Sequence, residues 1–253
     1  MKITKNTLWN LFLIVGMSIA VSIVTATKLA DATQGKALLI IAAFGSIMGI
    51  LSSVSSANAR IVTFLFGLID VSIYGVMCFM SWADGGGGLG NGILHVVYFV
   101  PMQFIGFFQW KKRGADAKSK PEARRFSSRQ WLLYSMIFLV ASCGLYVVLC
   151  QFDKSGAESF LRTAVLMDAI ATVCNIIGQF LLSTAYAEQW YFWIAVNVST
   201  IIMWVVTLRG ASDPDAASYA LIYIIKYAFY FLNSLNGLRI WMSLGRNSGS
   251  CKC

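Results

Sequence analysis

Within the stretch Glu188-Gln-Trp-Tyr-Phe-Trp-Ile-Ala-Val-Asn197, two tryptophans and an amide interrupt a run that is otherwise largely apolar. Read as a helix, Trp190, Trp193 and Asn197 fall at i, i+3 and i+7 and share one face. Indole faces attract flat and cationic rings, and an Asn side chain pairs with another amide. The trio therefore has the chemistry to bind a flat, polar ring. A tryptophan at a membrane boundary also suits the interfacial aromatic belt, which is the competing reading of Trp190. Asn197 lies nearly two turns deeper, where an unsatisfied amide is costly and needs a partner.

Three further stretches carry polar residues at helical spacing. Asp168, Thr172, Asn175 and Gln179 form one stripe, and Lys226, Tyr230, Asn233 and Gly237 form a second, with Asn236 a short way round from Asn233. His95, Tyr98, Met102, Gly106 and Gln109 form a third, with Gln103 to its side and Pro101 placed to kink the helix. Helix–helix hydrogen bonding explains any one of these amides, but three stripes together with the tryptophans favour a shared polar cavity. The candidate substrate-binding set is Trp190, Trp193, Asn197, Asn175, Gln179, Asn233, Asn236, Gln103, Gln109 and Tyr230. Asp168 and Lys226 suit either a structural pair or substrate contact. Asp70, on a face with Thr63, Gly67 and Tyr74, suits either ion coupling or a bond to a neighbouring helix. No Ser/His/Asp set, paired catalytic carboxylates or metal-binding cluster is present, and His95 is the single histidine. No enzymatic activity, cofactor or metal is expected.

The elements that position these residues follow from composition. At 253 residues, 58% hydrophobic and 12% charged, with mean hydropathy +0.69, the chain is too apolar for a soluble domain. Eight apolar segments lie near 8–26, 37–55, 61–82, 92–110, 131–151, 163–185, 190–208 and 218–243. Their length suits helices crossing about 30 Å of hydrocarbon, so the fold class is an all-α polytopic membrane protein with eight transmembrane helices. The first segment follows Lys2 and Lys5 like a signal peptide, but its apolar run is longer than a usual signal core and it is expected to be retained.

The formal charge of +9 excludes little by itself, because the basic residues gather in one place. The loop 111–130 holds eight Lys/Arg, and the positive-inside rule keeps such a loop in the cytoplasm. Both termini are then cytoplasmic, with thirteen Lys/Arg inside against five outside. Topology accounts for the charge without nucleic acid, which is excluded as a partner. The stretch Gly85-Gly-Gly-Gly-Leu-Gly-Asn-Gly92 lacks the Lys-Ser/Thr of a phosphate loop and reads as an outer connection. Cys78, Cys143, Cys150 and Cys174 lie inside apolar segments as packing residues. Cys251 and Cys253 form a tail C-x-C without further ligands.

An internal repeat recurs at an offset of about 130 residues. Gly106-x3-Trp110 aligns with Gly237-x3-Trp241, Gly67 with Asn197, Tyr74 with Trp204, and Gly49 with Gly178. Segments two to four and six to eight thus read as two parallel three-helix repeats joined by a linker helix (3+1+3), plus an extra N-terminal helix. The corresponding divisions are 1–36 for the N-terminal helix, 37–110 for the first repeat and 111–161 for the basic loop and linker helix. The second repeat takes 162–245 and the tail 246–253. Parallel repeats predict a pseudo-two-fold axis along the membrane normal with a site between the halves near mid-depth. A homo-oligomer stays open.

Asp168-Ala-x2-Thr172, Gln179, Glu188-x-Trp190-x2-Trp193-x3-Asn197 and the two Gly-x3-Trp endings resemble the PnuC family of bacterial vitamin transporters over about residues 37–243. The resemblance implies a SWEET-like fold in the bacterial inner membrane. It also implies uptake of nicotinamide riboside by facilitated diffusion, with cytoplasmic phosphorylation trapping the product. Trp190, Trp193 and Asn197 match the family's substrate-binding motif. The chain departs at Phe107-Phe108-Gln109, where relatives often carry further aromatics, which leaves thiamine or a flavin open as substrate. A sugar substrate, proton or sodium coupling, and a role as a membrane receptor or scaffold stay open as well.

Overall fold

The computed structural model describes residues 4–31, 36–83, 89–152, 162–210 and 214–249. The described residues form eight helices, numbered here in chain order. These are α1 (Lys5–Asp31), α2 (Lys36–Ala57), α3 (Thr63–Ala83), α4 (89–112), α5 (Ser128–Phe152), α6 (Thr163–Ser183), α7 (Gln189–Gly210) and α8 (Pro214–Gly249). Helices α1 to α7 are long and apolar enough to cross a membrane. The 36-residue α8 carries Lys226 and Arg239 in its interior. Each helix overlaps one of the eight apolar segments, because a chain in hydrocarbon must satisfy every backbone donor and acceptor within the helix itself.

Two local features have direct sequence causes. Helix α4 is composed of Leu89–Leu94, a π-helical turn His95–Phe99, and Val100–Lys112. Pro101 has no N–H to donate one turn back and its ring crowds the carbonyl there, and the widened turn just before it absorbs that mismatch. The start of α5 is set by Ser127 and Gln130. The Ser127 N–H donates to Gln130 Oε1 at 2.9 Å and the Gln130 N–H returns to Ser127 Oγ at 3.4 Å, a reciprocal cap of two end groups.

Six helices close a ring: α2 packs on α3, α3 on α4, α4 on α6, α6 on α7, α7 on α8, and α8 on α2. Helix α1 lies against α2 and α8, and α5 lies against α6. Leu13, Met17 and Val21 of α1 bury against Ile50 and Val54 of α2, with Phe229 and Tyr230 of α8 beside them. Phe229 comes this close because Gly16 has no side chain: a Cβ there would collide with the Phe229 ring. The first turns of α1 are also tied to the α2–α3 connection, since Asn6 Nδ2 donates to Asn58 Oδ1 at 2.7 Å and Asn58 Nδ2 to Asn10 Oδ1 at 3.1 Å. The opposite faces of α1 and α5 expose Leu8, Leu11, Phe12, Leu132, Leu133, Leu139 and Val140, which suits contact with lipid.

The densest core lies at the end of the bundle that carries the basic loop. Ala57, Ala59, Phe64, Trp110, Leu182, Ala185, Ala187, Trp190 and Trp241 pack there with Ala115 and Ala123 of the loop itself. Arg124 forms an isolated bridge with Tyr186.

Candidate functional site

The motif on α7 begins directly after a tight turn in which Ala185 adopts φ 60°. Trp190, 2% exposed, lies flat against the backbone of α8 at Gly237, where a Cβ would sit 2.5 Å from the indole. One turn on, Trp193 covers Gly178 of α6, where a Cβ would sit at 3.2 Å. Asn197 is buried, and its Nδ2 donates to Ser234 Oγ at 2.9 Å, which in turn donates to the Tyr230 carbonyl. The shared helical face thus exists, and two glycines and a serine fit α7 to its neighbours. Trp190 is not an interfacial belt residue, because its ring is enclosed by protein rather than placed at the bundle surface.

The α8 stripe meets this motif. Asn233 Nδ2 donates to the Ser53 carbonyl at 3.0 Å and to Ser53 Oγ at 2.9 Å, while its Oδ1 has no hydrogen-bond partner. Asn236 Oδ1 accepts from Arg239 Nη2 at 2.9 Å, and its Nδ2 has no partner. The indole N–H of Trp190 is likewise buried without one. Two unmatched donors and one unmatched acceptor therefore sit on α7 and α8 around Gly237. Buried polar atoms are overwhelmingly paired, so these three are open to a partner that the helices do not supply. The Tyr230 side chain turns the other way and packs against the α1–α2 cluster.

On the opposite wall, Gln179 Nε2 donates to Ser183 Oγ at 3.2 Å, and Ser183 Oγ donates to the Met102 carbonyl at 3.0 Å, which joins α6 to α4. Gln103 donates to the Phe99 carbonyl at 3.3 Å, and its Oε1 fills the space left by Gly67 of α3, 2.6 Å from where a Cβ would be. Asn175 and Gln109 are half-buried, and among the described residues neither shares a hydrogen bond with the other members of the set.

Among the described residues Asp168 and Lys226 form no ion pair. The carboxylate whose field reaches Lys226 is Asp70 on α3, not Asp168. Asp70 lies against Gly49 of α2, where a Cβ would be 2.8 Å from its Oδ2, whereas Asp168 is exposed. Spacing along one chain gives each residue's helix face but not which faces meet. A cavity of about 130 Å³ between α1, α2 and α8 is lined by Lys28, Ser46, Tyr223 and Lys226 among others. It lies beside the ring, and none of the ten candidate residues lines it.

Ser53, Ser183, Ser234 and Gln189 join the ten candidates only through the contacts, and Glu188, part of the motif, takes on a partner of its own. Ser183 could have been found by extending the Asp168–Gln179 stripe one turn. Ser53 and Ser234 carry no signal until α2, α7 and α8 are packed. Gln189 is fully buried with neither side-chain amide atom partnered.

Below the candidate residues, Trp110 and Trp241 meet with ring centroids 5.2 Å apart. The profile of the family described as nicotinamide mononucleotide transporter matches residues 39–243. The chain belongs to that family. Like the rest of the nicotinamide mononucleotide transporter family it is a membrane transporter and not an enzyme, and the matched span runs from α2 to the last turns of α8. Among curated relatives, the nicotinamide riboside transporter PnuC of Neisseria mucosa is 31% identical over 83% of this chain and 74% of its own length. The protein of the same name from Haemophilus influenzae is 28% identical over 81% and 80%. That of Escherichia coli is 24% identical over 83% and 88%. Among solved structures, the crystal structure of the vitamin B3 transporter PnuC superposes with a TM-score of 0.62 at 28% identity. It covers 93% of this chain and 92% of that one.

Proposed function

We propose that this chain takes up nicotinamide riboside across the bacterial inner membrane by facilitated diffusion, holding it between the two halves of the helix ring. The observation that carries the substrate is the set of unmatched atoms around Gly237: Trp190 Nε1–H and Asn236 Nδ2–H as donors and Asn233 Oδ1 as acceptor. A primary carboxamide presents the complement, one acceptor oxygen and an N–H₂ donor. The indole of Trp193 supplies a π face for the cationic pyridinium, and the amides of Asn175, Gln179, Gln103 and Gln109 supply partners for ribose hydroxyls. The names of the family and of its relatives differ by a phosphate, which demands a fixed cation. The cations on this part of α8 are Lys226, opposed by Asp70, and Arg239, engaged with Asn236. That arrangement favours the riboside.

The parallel 3+1+3 arrangement, with α1 as the extra helix, is supported by paired features. Ala59 and Ala185 both take a left-handed conformation at the α2–α3 and α6–α7 turns. Phe64 lies on Gly106 as Trp190 lies on Gly237. Under this arrangement Gly67 corresponds to Trp193 rather than Asn197, so a position without a side chain beside Gln103 in one half carries an indole in the other. The basic loop sets both termini in the cytoplasm. Uniport is the reading that the resemblance implies, and Asp70, which lies within the electrostatic reach of Lys226, is the carboxylate through which a coupled alternative would act.

Uptake of labelled nicotinamide riboside into proteoliposomes tests the reading, with nicotinamide mononucleotide, thiamine and riboflavin as competitors. Saturable entry of the riboside up to the external concentration is expected. Transport of thiamine or riboflavin without the riboside would overturn it.

A further inference from the structure

The basic loop between α4 and α5 is a folded strap. Asp116 Oδ1 accepts the N–H groups of Lys118 and Ser119 at 2.6 Å, and those bonds hold its carboxyl below the usual carboxylate range, the Ser119 bond first. Ala115 and Ala123 bury in the core beneath Trp110 and Trp241. Arg60 Nη1 donates to the Ala117 carbonyl at 3.3 Å, which ties the strap to the α2–α3 turn. The Arg124 N–H donates to the Ala185 carbonyl at 2.7 Å, and the Ala187 N–H returns to the Arg124 carbonyl at 3.0 Å. The strap therefore covers the mouth of the helix ring on the loop side.

We propose that residues 113–125 are the loop-side gate of the transport path and that the Arg125–Glu188 pair is its releasable latch. Arg125 Nε donates to Glu188 Oε1 at 2.8 Å. The carboxylate is fully buried while Arg125 is 41% exposed, and Glu188 Oε2 has no partner. A permanent buried pair is stable when both carboxylate oxygens are satisfied, and this one is half-made with its cation open to competing water. The segment it holds is poised as well. Ala185 is left-handed at φ 60°, and the first bonds of α7, Gln189 N–H to the Tyr186 carbonyl and Trp190 N–H to the Ala187 carbonyl, are long at 3.4 Å. Gln189 keeps both amide atoms buried and unmatched, a cost that ends when water reaches the turn. Glu188 stands two residues before Trp190, so release of the strap and a change at the substrate motif are one movement of one turn. Phe126, stacked on Tyr134 at 4.8 Å, anchors the strap's far end to α5 and marks the hinge.

The gate rests on the transporter reading but not on the identity of the substrate, and its test needs no substrate. In nanodiscs, with Cys78, Cys143, Cys150, Cys174, Cys251 and Cys253 replaced by Ala, Ala57→Cys reports access to the fully buried core beneath the strap through a water-soluble maleimide. Arg125→Gln and Glu188→Gln are each expected to raise the labelling rate roughly tenfold, and the double variant no further, because both remove the same bond. Unchanged labelling in either single variant, or rates that multiply in the double, overturns the latch. A lowered melting temperature with unchanged labelling assigns the pair a structural role only and equally overturns it. Should Glu188→Gln fail to assemble, Arg125→Gln, on the exposed side of the pair, carries the test alone.

Discussion

Trp110 ties α4 to α6, and Trp241 ties α8 to α2. The Trp110 indole N–H donates to the Leu182 carbonyl of α6 at 2.7 Å, and the Trp241 indole N–H donates to the Ser56 carbonyl of α2 at 2.8 Å. Each tryptophan follows a glycine by one turn, and that glycine admits an aromatic ring from the preceding helix of its own half. The pairs α3–α4 and α7–α8 therefore each carry a glycine–aromatic contact, and each is tied by an indole to a further helix of the ring.

Trp110→Phe and Trp241→Phe keep a ring but remove the indole donor, while the Leu182 and Ser56 carbonyls still accept the backbone N–H groups of Ala185 and Ala59 at 3.0 Å. Each is expected to cost about 0.5–1.5 kcal/mol, the net worth of one hydrogen bond, and to lower the melting temperature of the purified protein. A loss in one variant and none in the other would show that the two bonds are not equivalent.

Gly237→Ala places a methyl 2.5 Å from a rigid indole, whereas Gly178→Ala places one at 3.2 Å, a distance that a few tenths of an ångström relieve. We expect Gly237→Ala to abolish riboside binding by calorimetry and Gly178→Ala to weaken it. The reverse order would mean that Trp190 does not shape the site.

Trp193→Ala removes an aromatic and cation–π contact worth on the order of 1–2 kcal/mol, so riboside affinity should fall roughly 5–30-fold. Unchanged affinity in a well-folded variant takes Trp193 out of the site.

Asp70→Asn leaves Lys226 without its opposing charge inside the membrane, and a loss of folded protein is expected. Asp70→Asn with Lys226→Met should recover it. Under the uniport reading, neither a pH nor a sodium gradient drives accumulation in liposomes above the external riboside concentration. Gradient-driven accumulation that disappears in the double variant would falsify uniport.

Reporter fusions at Lys118, within the strap, and at the C-terminus should both report the cytoplasmic side. An external signal from either overturns the topology.

Much of the architecture was legible along the chain because a bilayer imposes one dominant constraint. Leu132, Leu139 and Val140 had to lie in an apolar span long enough to cross, and α5 contains them where the composition predicts. The spacing of Trp190, Trp193 and Asn197 likewise required a common face. The partners of those residues were not legible. Asn197 meets Ser234, Asn233 meets Ser53, and Lys226 lies in the field of Asp70, because each of these relations depends on the rotation and offset of two helices packed together.

By itself, the sequence determined an all-helical membrane chain, the approximate limits of its eight helices and the residues on each face. Helix formation in lipid depends on local hydrogen bonding and local apolarity. Tertiary structure alone decided that the basic loop folds back as a strap, that Arg125 meets Glu188, and that Trp190 rests on Gly237. Those are long-range contacts at van der Waals distance. They depend on the shape that two surfaces present to each other, which periodicity along one chain does not encode.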